Sequence, residues 1–588
     1  MNRLNNRLIY ALAGCLPILG CFLFFRYVTP YHVSFKEQIQ LFVYSWSYIL
    51  SYFGKPASLA LLTGDFLTQF FYLKGGGATV ITLLLLVEWW LIFIVMKRFS
   101  AKNNVLLWSL LPVIIEWILF SNIHFAVACS VSHILILYTF ILYTKISEKI
   151  SIWVGIILIP VLYTIAGVSV FPFIILVILY EIDCGRKRYF YFVAITLLSL
   201  FIPVLLRHSY LITLKQVYLY PYINTKHTIS LVALVAVVLL IVCFKNERFN
   251  NSTVGRAGER YFRVFVGLTR NHIVNTCIIL LILSSVLVTG LIKTTDPKRE
   301  NLYGIIIESY HKNWDKILDI AEKDELKNPI ATFHTNIALS EKSLLGERLM
   351  DFYQPFSSGL LPAAYNKLWF ALFSVNDPYF HIGDMDMAQH GALLGMVASP
   401  NQRSARLLKR LVEINLAIDD KPTANKYIQI LESTLFHKIS PEMLTNIARK
   451  GIFKEDIIRK STDVKAMIEL LVESDPNNMP AVNYLLCFYL LNKNIPAFFN
   501  AYTTYFKGRY DKVPKNYAEA LLIYFAVAKT TIQELNDYGI DHEMIKMFGE
   551  YTQLYEQSNG DLDALQEKYM NTYWLFYHFA VMSNEPNH

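Results

Sequence analysis

Nine apolar runs in the first half of the chain limit its fold more than any other feature of the sequence. Each run holds 15 to 20 residues. A helix needs about 20 residues to cross the hydrocarbon core, and shorter helices cross it where their neighbours bury them. The runs are residues 8–25, 77–96, 105–120, 125–143, 151–166, 168–182, 189–206, 229–244 and 274–292. We therefore predict an all-α fold that contains a bundle of about nine membrane spans.

Composition agrees with a membrane protein. Hydrophobic residues make up 54% of the chain and charged residues 17%, and the mean hydropathy is +0.36. These values exclude a soluble globular enzyme, a disordered chain and a disulfide scaffold. We assign residues 1–293 to a transmembrane domain with an outer loop at 29–76, and residues 294–588 to a soluble domain outside the cytoplasm.

The basic residues of the first half indicate the orientation of the bundle. Residues 1–293 hold 24 Lys or Arg against 9 Asp or Glu, whereas residues 294–588 hold 30 against 37. If nine spans start from a cytoplasmic N-terminus, 16 basic residues face the cytoplasm and 7 lie in outer loops. Positive charge concentrates on the cytoplasmic side. We therefore predict a cytoplasmic N-terminus and a C-terminal domain outside the cytoplasm, and we exclude nucleic acid as a partner.

Two adjacent runs, 151–166 and 168–182, are short, and Gly167 alone separates them. Pro160 interrupts the first of the two. Short interrupted spans often surround a transport site. We favour a tightly turned helical hairpin buried in the bundle, because the chain has no matching second pair of short spans.

Beyond Asp296 the sequence changes to amphipathic helices of ordinary length joined by polar turns. Three stretches, 331–352, 405–434 and 481–505, share a helix–turn–helix layout. The spacing from one of their turns to the next is about twice the period of tetratricopeptide (TPR) helix pairs. We therefore predict a TPR-like α-solenoid, and such a solenoid offers a concave face to protein partners. One metal-capable group in this half is better explained as a polar helix start with a solvated face; it consists of His381, Asp384, Asp386 and His390.

Sequence motifs for nucleotide, zinc-protease, serine-hydrolase and redox chemistry are absent, so we assign no cofactor and no metal ligand. What remains are ionisable residues inside the spans. Glu88 and Glu116 lie about 12 and 17 Å from the cytoplasmic ends of their helices, and His133 lies at a similar depth. Intramembrane ionisable residues are functional candidates by default. A structural clamp between helices is an equally good interpretation, because the sequence does not say whether the three residues face one another.

A second group of candidates lies on the outer side. Glu37 and Asp65 are the only carboxylates of the loop between the first two spans. Either could act as a general base beside a lipid-borne substrate, although a lone Asp after Gly is more often a helix N-cap. The loop at 207–227 adds three residues that could hold a phosphate and four tyrosines that could stack on sugars or form an interfacial belt. These are Arg207, His208 and Lys215, with Tyr210, Tyr218, Tyr220 and Tyr222.

Two resemblances add expectations. Through Gly64-Asp65-Phe66-Leu67-Thr68-Gln69-Phe70-Phe71 and Asn336-Ile337-Ala338-Leu339 the chain resembles a Bacteroidetes family of polytopic membrane proteins with no established activity. Together with the orientation, this resemblance implies a bacterial inner-membrane protein with a periplasmic C-terminal domain. In layout, the first 290 residues are more distantly similar to the GT-C glycosyltransferases, which use a lipid-phosphate-linked sugar. That resemblance implies Asp65 or Glu37 as the base and Arg207 as the phosphate contact. The chain lacks the adjacent acidic pair that this superfamily often places in its first outer loop.

Three hypotheses for function follow from these features. The first is a GT-C-like transferase that uses a lipid-linked glycan at the outer leaflet. The second is a non-catalytic membrane scaffold whose helical-repeat domain binds envelope proteins. The third is a transporter in which Glu88 and Glu116 form a proton relay. Membrane lipid, a lipid-linked sugar and envelope proteins are the corresponding partners.

Overall fold

The computed structural model describes residues 16–99, 105–222, 225–245, 272–362, 369–439, 463–509, 512–528 and 537–581. Within these ranges every regular element is a helix, and there is no strand. The all-α prediction is therefore confirmed. Part of the predicted orientation rests on basic residues of the loop 246–271, which lie outside the described ranges.

The chain divides into two compact units. The first contains Met1–Pro297 together with the short segment Ser433–Phe436, and the second contains Lys298–Glu432 and His437–His588. The sequence placed the domain boundary at 293, four residues before the first unit ends. It did not anticipate that Ser433–Phe436 would group with the first unit.

Four stretches of the first unit are long and apolar enough to cross a membrane, namely Gly76–Phe99, Glu148–Asp183, Tyr189–Tyr210 and Thr276–Thr294. The other predicted spans that the structure describes form shorter apolar helices, such as Val127–Tyr143. In the described part of this unit, an apolar helix at Leu16–Val28 is followed by the α-helices Pro30–Gln38, Trp46–Ser51, Ser58–Thr68, Gly76–Phe99, Val105–Trp108, Leu110–Phe120, Val127–Tyr143, Glu148–Ala166, Val170–Asp183, Tyr189–Tyr210, Leu214–Val217, Ile229–Lys245 and His272–Thr294.

The stretch Glu148–Asp183 is a hairpin of two antiparallel helices. Glu148 begins the first helix and Glu181 lies at the end of the second, yet both carboxylates bind the same two arginines. Arg186 and Arg188 can reach both only if the chain reverses between them, at Gly167. The buried carboxylate of Glu181 also accepts a hydrogen bond from the Tyr143 hydroxyl at 3.0 Å. This ion-pair cluster fixes the hairpin ends against the preceding helix.

Replacing Gly167 by alanine is expected to destabilise the first unit by at least about 3 kcal/mol, through backbone strain and a steric clash. Gly167 has φ +66°, and a Cβ atom there would lie 2.2 Å from the Tyr220 carbonyl oxygen. Gly185→Ala is the matched control, because Gly185 has φ +76° and nothing lies within 4 Å of its Cβ position. Thermal unfolding of the purified full chain measures both variants. Equal losses would mean that the close approach to Tyr220 contributes nothing.

The second unit repeats one kind of turn between its helices. At six turns a residue donates its backbone N–H to the carbonyl oxygen of the residue five positions earlier. In each turn the residue just before the donor has a positive φ. The donors and acceptors are Asn313 and Glu308, Leu344 and Leu339, Asp384 and Tyr379, Asp420 and Asn415, Asn494 and Tyr489, and Gly560 and Tyr555. This is the Schellman arrangement, which ends one helix and turns directly into the next.

The sequence identified the turns near residues 342, 419 and 493, and it marked a further pair starting at Asn313. It missed the equivalent turns at Asp384 and Gly560. The α-helices that the structure describes in this unit are Pro297–Tyr310, Trp314–Lys323, Pro329–Glu341, Leu345–Arg348, Asn376–Ile382, Met385–Ala398, Ala405–Ala417, Lys421–Glu432, Val464–Ser474, Met479–Leu491, Ile495–Ala501, Lys515–Ala528, His542–Gln557, Leu562–Tyr569 and Tyr573–Phe579.

Candidate functional site

Each of three helices in the first unit carries one of the ionisable candidate residues, and the three side chains meet at one place. Glu88 lies near the middle of Gly76–Phe99, Glu116 lies in Leu110–Phe120, and His133 lies in Val127–Tyr143. Their side chains are almost entirely buried, at 1%, 0% and 1% residue exposure. The remaining positions of these helices are overwhelmingly apolar, so packing the helices together places the three polar groups inside the bundle.

The imidazole of His133 contacts both carboxylates through the same nitrogen. Its Nδ1 lies 3.0 Å from Glu88 Oε1 and 3.4 Å from Glu116 Oε1. One oxygen or nitrogen from each of the three residues falls within 4.8 Å of the others. Among the described residues this is the one group of three or more His, Cys, Asp and Glu side chains close enough to share a metal ion.

Two hydroxyl groups hold the cluster from either side. Ser130 lies one turn before His133 and donates a hydrogen bond to Glu116 Oε1 at 2.9 Å. The Tyr222 hydroxyl lies 2.8 Å from His133 Nε2. Tyr222 is only 3% exposed, so its assignment to an interfacial belt or a sugar-stacking surface is wrong. It is a buried partner of the histidine.

Each carboxylate keeps one oxygen without a partner. Glu88 Oε2 and Glu116 Oε2 are buried and accept no hydrogen bond from any described residue. Neither glutamate forms an ion pair with a lysine or arginine in the described part of the chain; each pairs only with His133. Buried carboxylate oxygens without donors are costly. The arrangement therefore calls for a proton or a cation that the protein side chains themselves do not supply.

A buried lysine fixes the helix that carries Glu116. Lys36 Nζ donates to the carbonyls of Phe120 and Phe125 at 3.2 Å each, and His32 Nε2 also lies 3.2 Å from the Phe120 carbonyl. The Phe120 carbonyl is one of the free carbonyls at the C-terminal end of Leu110–Phe120, and Phe125 lies just before the helix that carries His133. Burial lowers the pKa of Lys36 to about 7. The sequence treated Lys36 only as an outer-loop charge, and its buried role was missed.

Asp65 and Glu37, the two carboxylates of the predicted outer loop, lie apart from this cluster in the contacts that the structure gives them. Asp65 lies inside the helix Ser58–Thr68, so its interpretation as an N-cap is wrong. Asp65 Oδ2 accepts a hydrogen bond from the Tyr52 hydroxyl at 2.6 Å, and that hydroxyl also lies 2.6 Å from the Tyr48 hydroxyl. Burial and the Asp65 carboxylate raise the pKa of Tyr52, so Tyr52 remains a donor. Glu37 is buried in the last turn of Pro30–Gln38.

The basic residues proposed to hold a phosphate lie at the end of Tyr189–Tyr210 and just beyond it. Arg207 Nε donates to the Ile212 carbonyl at 3.1 Å, which closes the loop after its own helix. The side chains of His208 and Lys215 are exposed. None of these contacts joins the basic residues to Asp65 or Glu37.

In the second unit, the group of His381, Asp384, Asp386 and His390 does not form a metal centre by the geometry of the described residues. Asp384 caps the helix Met385–Ala398 by accepting from the Met387 N–H at 3.0 Å. His381 instead contacts Ser340 Oγ at 2.8 Å and Glu341 Oε1 at 3.2 Å. The helix-start interpretation is correct for Asp384.

Comparison with known proteins gives a family and nothing more specific. A family model described as "Family of unknown function (DUF6057)" matches residues 5–580. No curated protein and no solved structure matches the chain.

Proposed function

The chain belongs to this family of unknown function (DUF6057), and we propose that it is a polytopic membrane protein that binds a cation inside its helical bundle and moves it across the membrane. The observation that carries this proposal is the convergence of Glu88, Glu116 and His133, with two carboxylate oxygens left unpartnered. Ionisable groups within apolar helices are costly and mark ion pathways when they persist.

We further propose the arrangement in which this cluster works. The nine apolar segments cross a bacterial inner membrane, the N-terminus is cytoplasmic and the second unit is periplasmic. In this proposal the six helix–turn–helix pairs form a TPR-like solenoid that docks envelope proteins. The charge difference between loops supports the orientation, and the repeated turn geometry supports the solenoid.

The GT-C-like transferase is the weaker proposal for this chain. It needs a base and a phosphate contact that converge on one substrate. Asp65 accepts a hydrogen bond from the Tyr52 hydroxyl, whereas Arg207 donates a hydrogen bond to the carbonyl of Ile212, five residues further along the chain. The intramembrane cluster, in contrast, joins residues from three helices that are 28 and 17 positions apart in the sequence. Geometry therefore favours cation binding over glycan transfer.

Uptake into vesicles tests the proposal. We expect purified full-length protein, reconstituted into liposomes, to take up a cation from a panel of H⁺, Na⁺, K⁺, Mg²⁺, Mn²⁺ and Zn²⁺. The Glu88→Gln/Glu116→Gln double variant should reduce uptake to the level of empty vesicles, because the amides keep the shape of the carboxylates but remove both charges. Fluorescent indicators trapped inside the vesicles measure the initial rates.

Glu148→Gln is the matched control. Glu148 is a carboxylate of the same unit, its side chain is 58% exposed, and it pairs with Arg186 and Arg188 away from the cluster. We expect this variant to transport at the wild-type rate. If vesicles that contain folded wild-type protein take up none of these cations, the transport proposal is wrong.

A further inference from the structure

The donor atoms of the cluster select a class of cation. Two carboxylate oxygens and one imidazole nitrogen suit zinc and related first-row transition metals. Calcium and magnesium prefer six or more oxygen ligands, and magnesium usually retains several waters. Alkali cations do not favour an imidazole nitrogen. The side chains of Glu88, Glu116 and His133 therefore match a transition metal better than a hard cation.

Charge balance points the same way. As metal ligands, the two glutamates would be ionised and the histidine neutral, which gives a net charge of −2 in a site that is almost fully buried. Separated from water, an uncompensated charge of this size is strongly unfavourable. A divalent cation brings the sum to zero in one step, whereas a monovalent cation leaves one negative charge in the apolar interior.

The spacing of the donors fits a small coordination sphere. Ligands at ~2.0 Å from a tetrahedral zinc ion lie ~3.3 Å from one another. His133 Nδ1 lies 3.0 and 3.4 Å from the two Oε1 atoms. The unpartnered Oε2 atoms of Glu88 and Glu116 provide further ligand positions, and a site with three protein ligands keeps one position open for exchange.

Neighbouring side chains orient the ligands as expected for a metal site. Metal-bound histidines usually engage their second ring nitrogen in a hydrogen bond that fixes the tautomer. His133 Nε2 lies 2.8 Å from the Tyr222 hydroxyl, which can accept the Nε2 proton and leave Nδ1 free to bind metal. Ser130 similarly positions Glu116 Oε1. These contacts are built into the bundle and need no rearrangement.

We infer that Glu88, Glu116 and His133 bind one divalent transition-metal ion of the zinc class, with Tyr222 and Ser130 orienting the ligands. This inference deepens the proposed function, because it names the class of cation that would be transported. Zinc is the probe of choice, since it has no redox chemistry and no geometric preference from its d electrons.

Zinc binding to the tag-free, full-length protein in detergent tests the inference. After metal removal, titration with Zn²⁺ alone should load a site of one ion per chain, and elemental analysis after gel filtration should count it. The Glu88→Gln/Glu116→Gln variant should lose this ion. Tyr222→Phe should retain the site but weaken it by about 10- to 100-fold, the range found for partners of metal-bound histidines. Glu148→Gln should bind as the wild type does.

Thermal unfolding keeps the test informative if a variant is unstable. Zinc should raise the Tm of the wild type, because a ligand that binds the folded state stabilises it. It should leave the Tm of the double variant unchanged. Without metal, the double variant should melt no lower than the wild type, because glutamine keeps the shape of glutamate and removes buried carboxylate oxygens that have no donor. Equal zinc loading of wild type and double variant would overturn the site.

The two proposals fail in different ways. Zinc bound at this site without uptake into vesicles would leave the metal site standing and remove the transport proposal. Uptake of H⁺, Na⁺ or K⁺ that depends on Glu88 and Glu116, in protein that binds no zinc, would leave transport standing and overturn the zinc-class metal. Preference for Ca²⁺ or Mg²⁺ over Zn²⁺ would also overturn it.

Discussion

Asp377→Ala is expected to destabilise the second unit by about 3–5 kcal/mol, because it removes the buried carboxylate that Arg406, itself buried, shares with the partly buried Arg410. Asp377 is 6% exposed and Arg406 is 3% exposed. Arg406 donates to Asp377 Oδ2 at 2.5 Å, and Arg410 donates to Oδ1 at 3.0 Å. Burial alone would raise the pKa of Asp377, but the two guanidinium groups outweigh it and lower the pKa.

Hydrogen exchange on the full-length protein measures this loss locally. Peptides from Asn376–Ile382 and Ala405–Ala417 should exchange on the order of 100- to 1,000-fold faster in Asp377→Ala, because opening of these helices becomes less costly. Asp315→Ala is the matched control. Its side chain is 84% exposed and pairs with Lys342 at the surface, where a salt bridge contributes only about 0–1 kcal/mol. Unchanged protection in Asp377→Ala would show that the arginines find other partners.

Glu519→Gln is expected to stabilise the second unit increasingly as the pH rises from about 5 to about 8. Glu519 is fully buried; its Oε2 accepts the Tyr573 N–H at 2.6 Å, and its Oε1 has no partner among the described residues. Burial raises the pKa of Glu519 from 4.5 to about 8, although the Tyr573 N–H opposes the shift. The folded protein therefore holds the proton over a pH range in which the unfolded chain has released it.

The sign follows from proton linkage. Because the folded-state pKa lies above the unfolded value, the wild-type protein loses stability between pH 4.5 and about 8 and no further above it. Each pKa unit corresponds to about 1.4 kcal/mol, so the glutamine variant should gain about 3–5 kcal/mol near pH 8. Glutamine can still accept the Tyr573 N–H. Tm measured across this range checks the trend, with the exposed Glu567→Gln as control. A constant Tm difference from pH 5 to pH 8 would contradict it.

The long apolar helices of the first unit could be predicted because each rests on a local signal. The run 77–96 corresponds to the helix Gly76–Phe99, and the run 125–143 corresponds to the helix Val127–Tyr143. The number of spans is a harder question, since four stretches meet the length and hydropathy that a membrane crossing needs. Short apolar helices such as Leu110–Phe120 depend on their neighbours for burial, and this is a tertiary property.

The candidate site shows where sequence reasoning stops. Glu88, Glu116 and His133 stood out because charge is rare in apolar helices. Their convergence depends on how each helix is rotated about its axis, and a sequence with apolar residues on all sides does not specify that rotation. Tyr222 was missed as a partner because it comes from a loop 89 positions from His133. Ser130 could have been found, because it lies one turn from His133 on the same helix face.

The buried charges of the second unit were missed for a related reason. Arg406 and Arg410 lie four residues apart on a helix whose other charged residues, Lys409 and Glu413, recur at the same helical spacing, which is typical of a solvated face. Only tertiary packing reveals that Asp377 from another helix neutralises them. The turns at Asp384 and Gly560, in contrast, carried a local signal, because a Gly-Asp pair occurs at each of them.

X-ray absorption at the zinc edge of the zinc-loaded, full-length protein is the most direct test of the central claim. Binding by Glu88, Glu116 and His133 predicts a first shell of nitrogen and oxygen at ~2.0–2.1 Å, with the scattering of a single imidazole and no sulfur. The same spectrum should vanish in the Glu88→Gln/Glu116→Gln variant. A sulfur shell at ~2.3 Å, which would place zinc on a cysteine such as Cys129, or a shell of six oxygens without imidazole, would contradict the account.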